Sequence, residues 1–127
     1  MSRIQKSQNL GKRAEACVNR LLLQQGWHIL ARNFRQIGSE IDIIAQKGYT
    51  IVFVEVKFRH RKPTTAQDMF EIMPKRKRQA LVRGAKYFLQ KNEKKLAQWK
   101  NLRFDLALVT LAPKSKDKGD IYYLPNI

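Results

Sequence analysis

Acidic residues are scarce in this 127-residue chain, where 10 Asp and Glu stand against 26 Lys and Arg for a formal net charge of +16. Such an imbalance predicts a polyanionic partner, nucleic acid first and an anionic membrane surface second. Cysteine is nearly absent. Cys17 stands alone, which excludes an internal disulfide, and with His28 and His60 widely spaced it offers no zinc-ligand pattern. It reads as a small core residue. Long apolar runs are also lacking: nothing approaches the roughly 20 residues of a spanning helix, and Leu21-Leu22-Leu23 is too short for a signal-peptide core. No membrane partner is expected, and the expected location is the cytoplasm. The length suits one domain, residues 1–127, with residues 1–8 loosely ordered.

Against that scarcity, three of the acids fall in one short stretch. Glu40-Ile41-Asp42-Ile43-Ile44-Ala45 and Ile51-Val52-Phe53-Val54-Glu55-Val56-Lys57 are apolar and β-branched enough to be strands, and Lys47-Gly48 supplies the turn of a hairpin. Side chains alternate faces along a strand. A two- or four-residue turn therefore puts Glu40, Asp42, Glu55 and Lys57 on one face, whereas a three-residue turn separates them. Carboxylates facing each other across a pair are destabilising unless a cation sits between them. Lys57 is one such cation and a divalent metal the other. An ion-pair ladder on a solvated sheet face is the plainer reading. An acidic spot in a basic protein suggests instead metal held beside phosphate.

The rest of the chain frames that hairpin. Ala14, Cys17, Val18, Leu21 and Leu22 recur at helical spacing, so a helix is expected from Asn9 to a stop at Gly26, with Glu15 at the edge of its buried face. Periodicity alone makes Glu15 a solvated charge. Trp27 to Arg35 reads as a first strand, which with the hairpin makes an antiparallel meander in need of helical cover. After Lys57 a basic exit and a polar loop lead to a helix opening at Pro74. Its apolar stripe is Ala80, Leu81, Ala85, Phe88 and Leu89. Its other face carries Lys75, Arg76, Lys77, Arg78 and Arg83, a phosphate-binding surface or a solvated one. His60, alone in its loop, reads as solvated. Leu102 to Leu111 reads as a buried strand in which Asp105 needs a partner. A lysine-rich loop, Pro113 to Gly119, precedes a last strand at Ile121 to Leu124.

Asp42 on one strand, Glu55-x-Lys57 on the next and Glu15 on a preceding helix resemble the PD-(D/E)xK nuclease superfamily. Gly11 through Glu15, Gly38 through Ala45, Val52 through Arg59 and Arg103-Phe104-Asp105 are similar, more narrowly, to the bacterial YraN family, described as Holliday-junction-resolvase-like. Ile41 stands where the superfamily motif has Pro. Gln79 is followed four residues on by Arg83, not by the Tyr of the RecB-like branch. The resemblance implies an α/β, restriction-endonuclease-like core: the three-strand meander, extended by further strands into a mixed sheet and flanked by two helices.

It also implies metal-dependent hydrolysis of DNA phosphodiester bonds, structure-selective in the resolvase manner. Asp42, Glu55 and the Val56 main-chain carbonyl would hold Mg²⁺ or Mn²⁺, with Glu15 as a ligand directly or through water. Lys57 would serve the attacking water, and Glu40 would sit in the outer shell, paired with Lys57 or Arg59. Arg59 and the helix cations Lys75, Arg76, Lys77, Arg78 and Arg83 would bind nucleic acid. A non-catalytic basic adaptor on the same fold is the alternative, and charge alone leaves RNA open as the polyanion. A symmetric junction would favour a homodimer.

Overall fold

A helix opens the fold. The structure, a computed structural model, describes residues 3–111 and 119–127, and α1 spans Arg3–Gln24. The helix starts before Asn9 because nothing between Arg3 and Asn9 breaks one. Met1 and Ser2 lie outside the described residues. The stop comes where expected. Gly26 adopts φ +91°, its N–H bonds the Leu23 carbonyl at 3.1 Å, and the Trp27 N–H bonds the Leu22 carbonyl at 2.9 Å. These two bonds satisfy carbonyls that the helix end would leave orphaned.

Next come β1 (His28–Gln36), β2 (Ser39–Lys47), β3 (Thr50–Phe58), α2 (Ala66–Ile72), α3 (Lys75–Lys91), β4 (Asn101–Leu111) and β5 (Gly119–Leu124). The strands form one five-stranded sheet in the order β1-β2-β3-β4-β5. The first three make the expected antiparallel meander, β3 and β4 are parallel, and β5 returns antiparallel to β4. The fold is therefore the mixed, restriction-endonuclease-like α/β core. Of the lysine-rich loop, all but Gly119 falls outside the described residues.

Cover on both faces explains why β2 and β3 are so apolar. Ala14, Cys17, Val18 and Leu22 of α1 pack on Ile43, Ala45, Val52, Val54 and Val56, while Leu81, Ala85 and Phe88 of α3 pack on Ile41, Ile44, Ile51 and Phe53. Cys17 is a buried core residue. No helix among the described residues is long and apolar enough to cross a membrane.

One element was missed by the pattern. Residues expected as a polar loop contain α2, whose start is fixed by Thr65 and Asp68: the Asp68 N–H donates to Thr65 Oγ1 at 3.2 Å, and Asp68 Oδ2 accepts from the Thr64 and Thr65 N–H groups at 2.9 and 3.1 Å. These bonds hold Asp68 below the usual carboxylate range. The arrangement is a reciprocal capping box, legible as Thr65-Ala66-Gln67-Asp68.

The α3 helix meets the start of β2 at close range, where Ser39 Oγ donates to the Ala80 carbonyl at 2.7 Å. A Cβ at Gly84 would collide with Ser39 Oγ and come within 3.1 Å of Ile41 Cδ1. Gly84→Ala is therefore expected to destabilise the fold by about 1–3 kcal/mol despite its better helix propensity. Urea denaturation reads that loss, and adding Ser39→Gly should return part of it.

Candidate active site

The two-residue turn at Gly48-Tyr49 sets the register, pairing Lys47 with Thr50 and continuing to Ile43 with Val54. The next pair in line would be Asp42 and Glu55. The ladder ends there, and a side chain takes over the backbone's role: the Val56 N–H donates to Asp42 Oδ2 at 2.7 Å. Alternation also slips at this point, since Ile41 and Ile44 share the core under α3 while Ile43 lies under α1. The strands part where two like charges would otherwise face each other.

An open pocket of about 720 Å³ lies over the break, lined among others by Arg35, Glu40, Asp42, Glu55, Lys57 and Lys77. Asp42 and Glu55 are buried, at 9% and 5% exposure. Glu15 comes from α1, within hydrogen-bonding reach of Asp42. With its amide turned as its partners require, Asn33 donates to Glu15 Oε1 at 3.1 Å and Oε2 at 3.3 Å. Burial above all, then the charge of Glu55, pushes the Asp42 carboxyl up to about 8; the Val56 N–H opposes this and Glu15 adds to it.

Two ammonium groups answer the acids. Lys57 Nζ lies 3.0 Å and Lys77 Nζ 3.1 Å from Glu55 Oε1. Burial works against charge on both, Glu55 favours it on each, and the charge of Lys57 disfavours it on Lys77. Lys57 ends above the ordinary lysine value and Lys77 below it.

The structure thus gathers Glu15, Asp42, Glu55, Val56 and Lys57, and it redistributes others. Glu40 pairs with Arg35 at 3.4 Å instead of Lys57 or Arg59, because Arg35 stands opposite it in the β1–β2 ladder. Lys77, grouped by sequence with the outward cations, points into the pocket. Arg59, Lys75, Arg76, Arg78 and Arg83 are exposed. The signal for Lys77 was present: it stands four residues before Leu81, which stands four before Ala85, so it heads the buried stripe of α3.

Asp105 belongs elsewhere. Fully buried, it accepts from Arg103 Nε at 3.0 Å, Arg103 Nη2 at 2.9 Å, the Asn126 N–H at 3.1 Å and the Tyr123 hydroxyl. Burial, and then the bond to Asp105, drives the Tyr123 phenol well above its ordinary value. This knot ties β4 to β5.

Among the described residues, no three His, Cys, Asp or Glu side chains converge closely enough to hold a metal ion by themselves. A hard ion such as Mg²⁺ does not need that, since it is bound by one or two carboxylates with waters and substrate phosphates completing its shell. Asp42 and Glu55 fit such a role.

Comparison with known proteins places the chain among relatives. Residues 14–109 match the model of Uncharacterised protein family UPF0102. The chain belongs to the UPF0102 family. This is the YraN family of the sequence resemblance. A UPF0102 protein of Synechococcus sp. (strain JA-3-3Ab) is 38% identical over 106 residues, covering 84% of this chain and 79% of its own. One of Treponema pallidum (strain Nichols) is 37% identical over 119 residues, covering 92% and 90%. Another, of Desulfitobacterium hafniense, is 32% identical over 120 residues, covering 94% and 96%. The UPF0102 match takes in Glu15, Asp42, Glu55, Lys57, Lys77 and Asp105.

Proposed function

We propose that this UPF0102 protein is a nuclease that hydrolyses DNA phosphodiester bonds with a divalent ion, Mg²⁺ or Mn²⁺. The observation that carries the reading is the break in the β2–β3 ladder, where buried Asp42 and Glu55 meet Lys57 in an open pocket of a strongly basic protein. Buried acids side by side disfavour the fold, and sites that keep them are enriched in function.

Asp42, Glu55 and the Val56 carbonyl would hold the ion, with Glu15 adding a ligand directly or through water. Bound there, it would supply Lewis acidity at the phosphate and a more acidic water. Lys57 orients the attacking water and offsets charge growing on the phosphorane oxygens. Arg35 holds Glu40 at the rim of the pocket. Exposed Arg59, Lys75, Arg76, Arg78 and Arg83 grip backbone phosphates, contacts that position DNA without reading its sequence. Cutting both strands of a symmetric junction would call for a two-fold dimer.

The test is incubation of end-labelled four-way junction, flap, single-stranded and duplex DNA with the protein in Mg²⁺, Mn²⁺ or EDTA. Cleavage of at least one substrate with either metal, and none in EDTA, is the expected result. Binding without cleavage in any condition would replace this reading with the non-catalytic adaptor. Binding itself should weaken steeply with salt: the five exposed cations predict a log–log slope of about −4 to −5, measured by fluorescence anisotropy.

A further inference from the structure

Glu55 Oε1 accepts from two ammonium groups at once, Lys57 at 3.0 Å and Lys77 at 3.1 Å. Two like charges on one oxygen repel each other, so the arrangement is poised to lose one of them. Lys57 belongs to the same strand as Glu55. Lys77 reaches across the pocket from α3, and its side chain is 39% exposed against 24% for Lys57. A flexible lysine stem on a separate element makes Lys77 the easier one to move.

We infer that Lys77 changes partners: it competes with the divalent ion for Glu55 and, once displaced, contacts the phosphate being cleaved. The inference rests on the nuclease reading and deepens it. Released from Glu55, Lys77 stays in the pocket, because its neighbours Ala80 and Leu81 line the same wall. The other lining acids are already engaged, Glu40 by Arg35 and Asp42 by the Val56 N–H. An incoming phosphate is the anion that suits it. Lys77 is then a catalytic residue supplied by α3, and it makes metal entry a contest instead of a simple filling.

The experiment measures Mn²⁺ affinity of wild type and Lys77→Met by electron paramagnetic resonance without DNA, then single-turnover cleavage at saturating Mn²⁺. Lys77→Met is expected to bind Mn²⁺ about fivefold more tightly, to cleave about tenfold more slowly, and to keep the KM for DNA within about twofold. Unchanged or weaker Mn²⁺ binding overturns the inference, as does tighter binding with undiminished cleavage. Thermal denaturation checks folding, and Lys77→Gln replaces the Met variant if that does not fold. Tighter Mn²⁺ binding by the variant with no cleavage by wild type would sink the nuclease reading while sparing the competition for Glu55.

Discussion

A Glu55→Gln protein is expected to fold and bind DNA while cleaving it at least about a thousandfold more slowly than wild type. The substitution keeps the shape of a buried side chain and an oxygen able to accept from Lys57 and Lys77, so it opens no cavity. Only the charge is removed. Without it Glu55 no longer attracts a divalent ion, and the two ammonium groups 3.0 and 3.1 Å from its oxygen lose the anion that reconciles them. DNA binding should hold or tighten, since net charge becomes more positive. Single-turnover cleavage beside anisotropy gives both quantities. Near-wild-type cleavage by the variant would remove Glu55 from the site.

The second large effect is on stability, and it runs opposite to the usual fate of a carboxylate mutation. The Asp42 carboxyl is pushed up to about 8 in the fold, from 3.8. Between those values the folded state holds a proton that the unfolded state has given up. Stability in EDTA should therefore fall as pH rises from 4 toward 8. Asp42→Asn mimics the protonated acid: its carbonyl can still accept from the Val56 N–H, and its amide can donate to Glu15. The variant should have a flatter profile and be more stable than wild type at pH 8 by about 3 kcal/mol, or roughly 10 °C. Mg²⁺ should raise the wild-type midpoint at pH 8 and leave the variant unmoved. Thermal melts across pH give the comparison, and parallel profiles would refute the account.

Much of this was legible in the chain. Alternation brings Asp42 and Glu55 together for a turn of two or four residues, and the turn after Lys47 has two; the stripe from Ala14 to Leu22 placed α1. Four features escaped for separate reasons. The parting of the strands at Asp42 is a response to burying two acids together, and a pattern of alternating residues has no means of expressing it. Glu15 sits at the edge of a helical stripe, so spacing left it looking solvated; only packing of α1 on the sheet brings it to Asp42. Lys77 was counted by charge when its position relative to Leu81 was the better guide. The short α2 was announced by Thr65 and Asp68, but seven residues are too few for periodicity to register.

The single parallel pair in the sheet has a bearing on how the site comes into being. Asp42, Glu55 and Lys57 lie on a hairpin, a unit that closes within about 1–10 μs. The pairing of β3 with β4 must wait for the whole crossover from Arg59 to Lys100, a slower search. Lys77 travels with that crossover. Within the hairpin Lys57 is the cation on Glu55, and the register is carried by the uncharged pairs Ile43–Val54, Ile44–Phe53 and Ala45–Val52. The second ammonium comes from the crossover itself, so the site draws one cation from the hairpin and the other from the segment that joins β3 to β4.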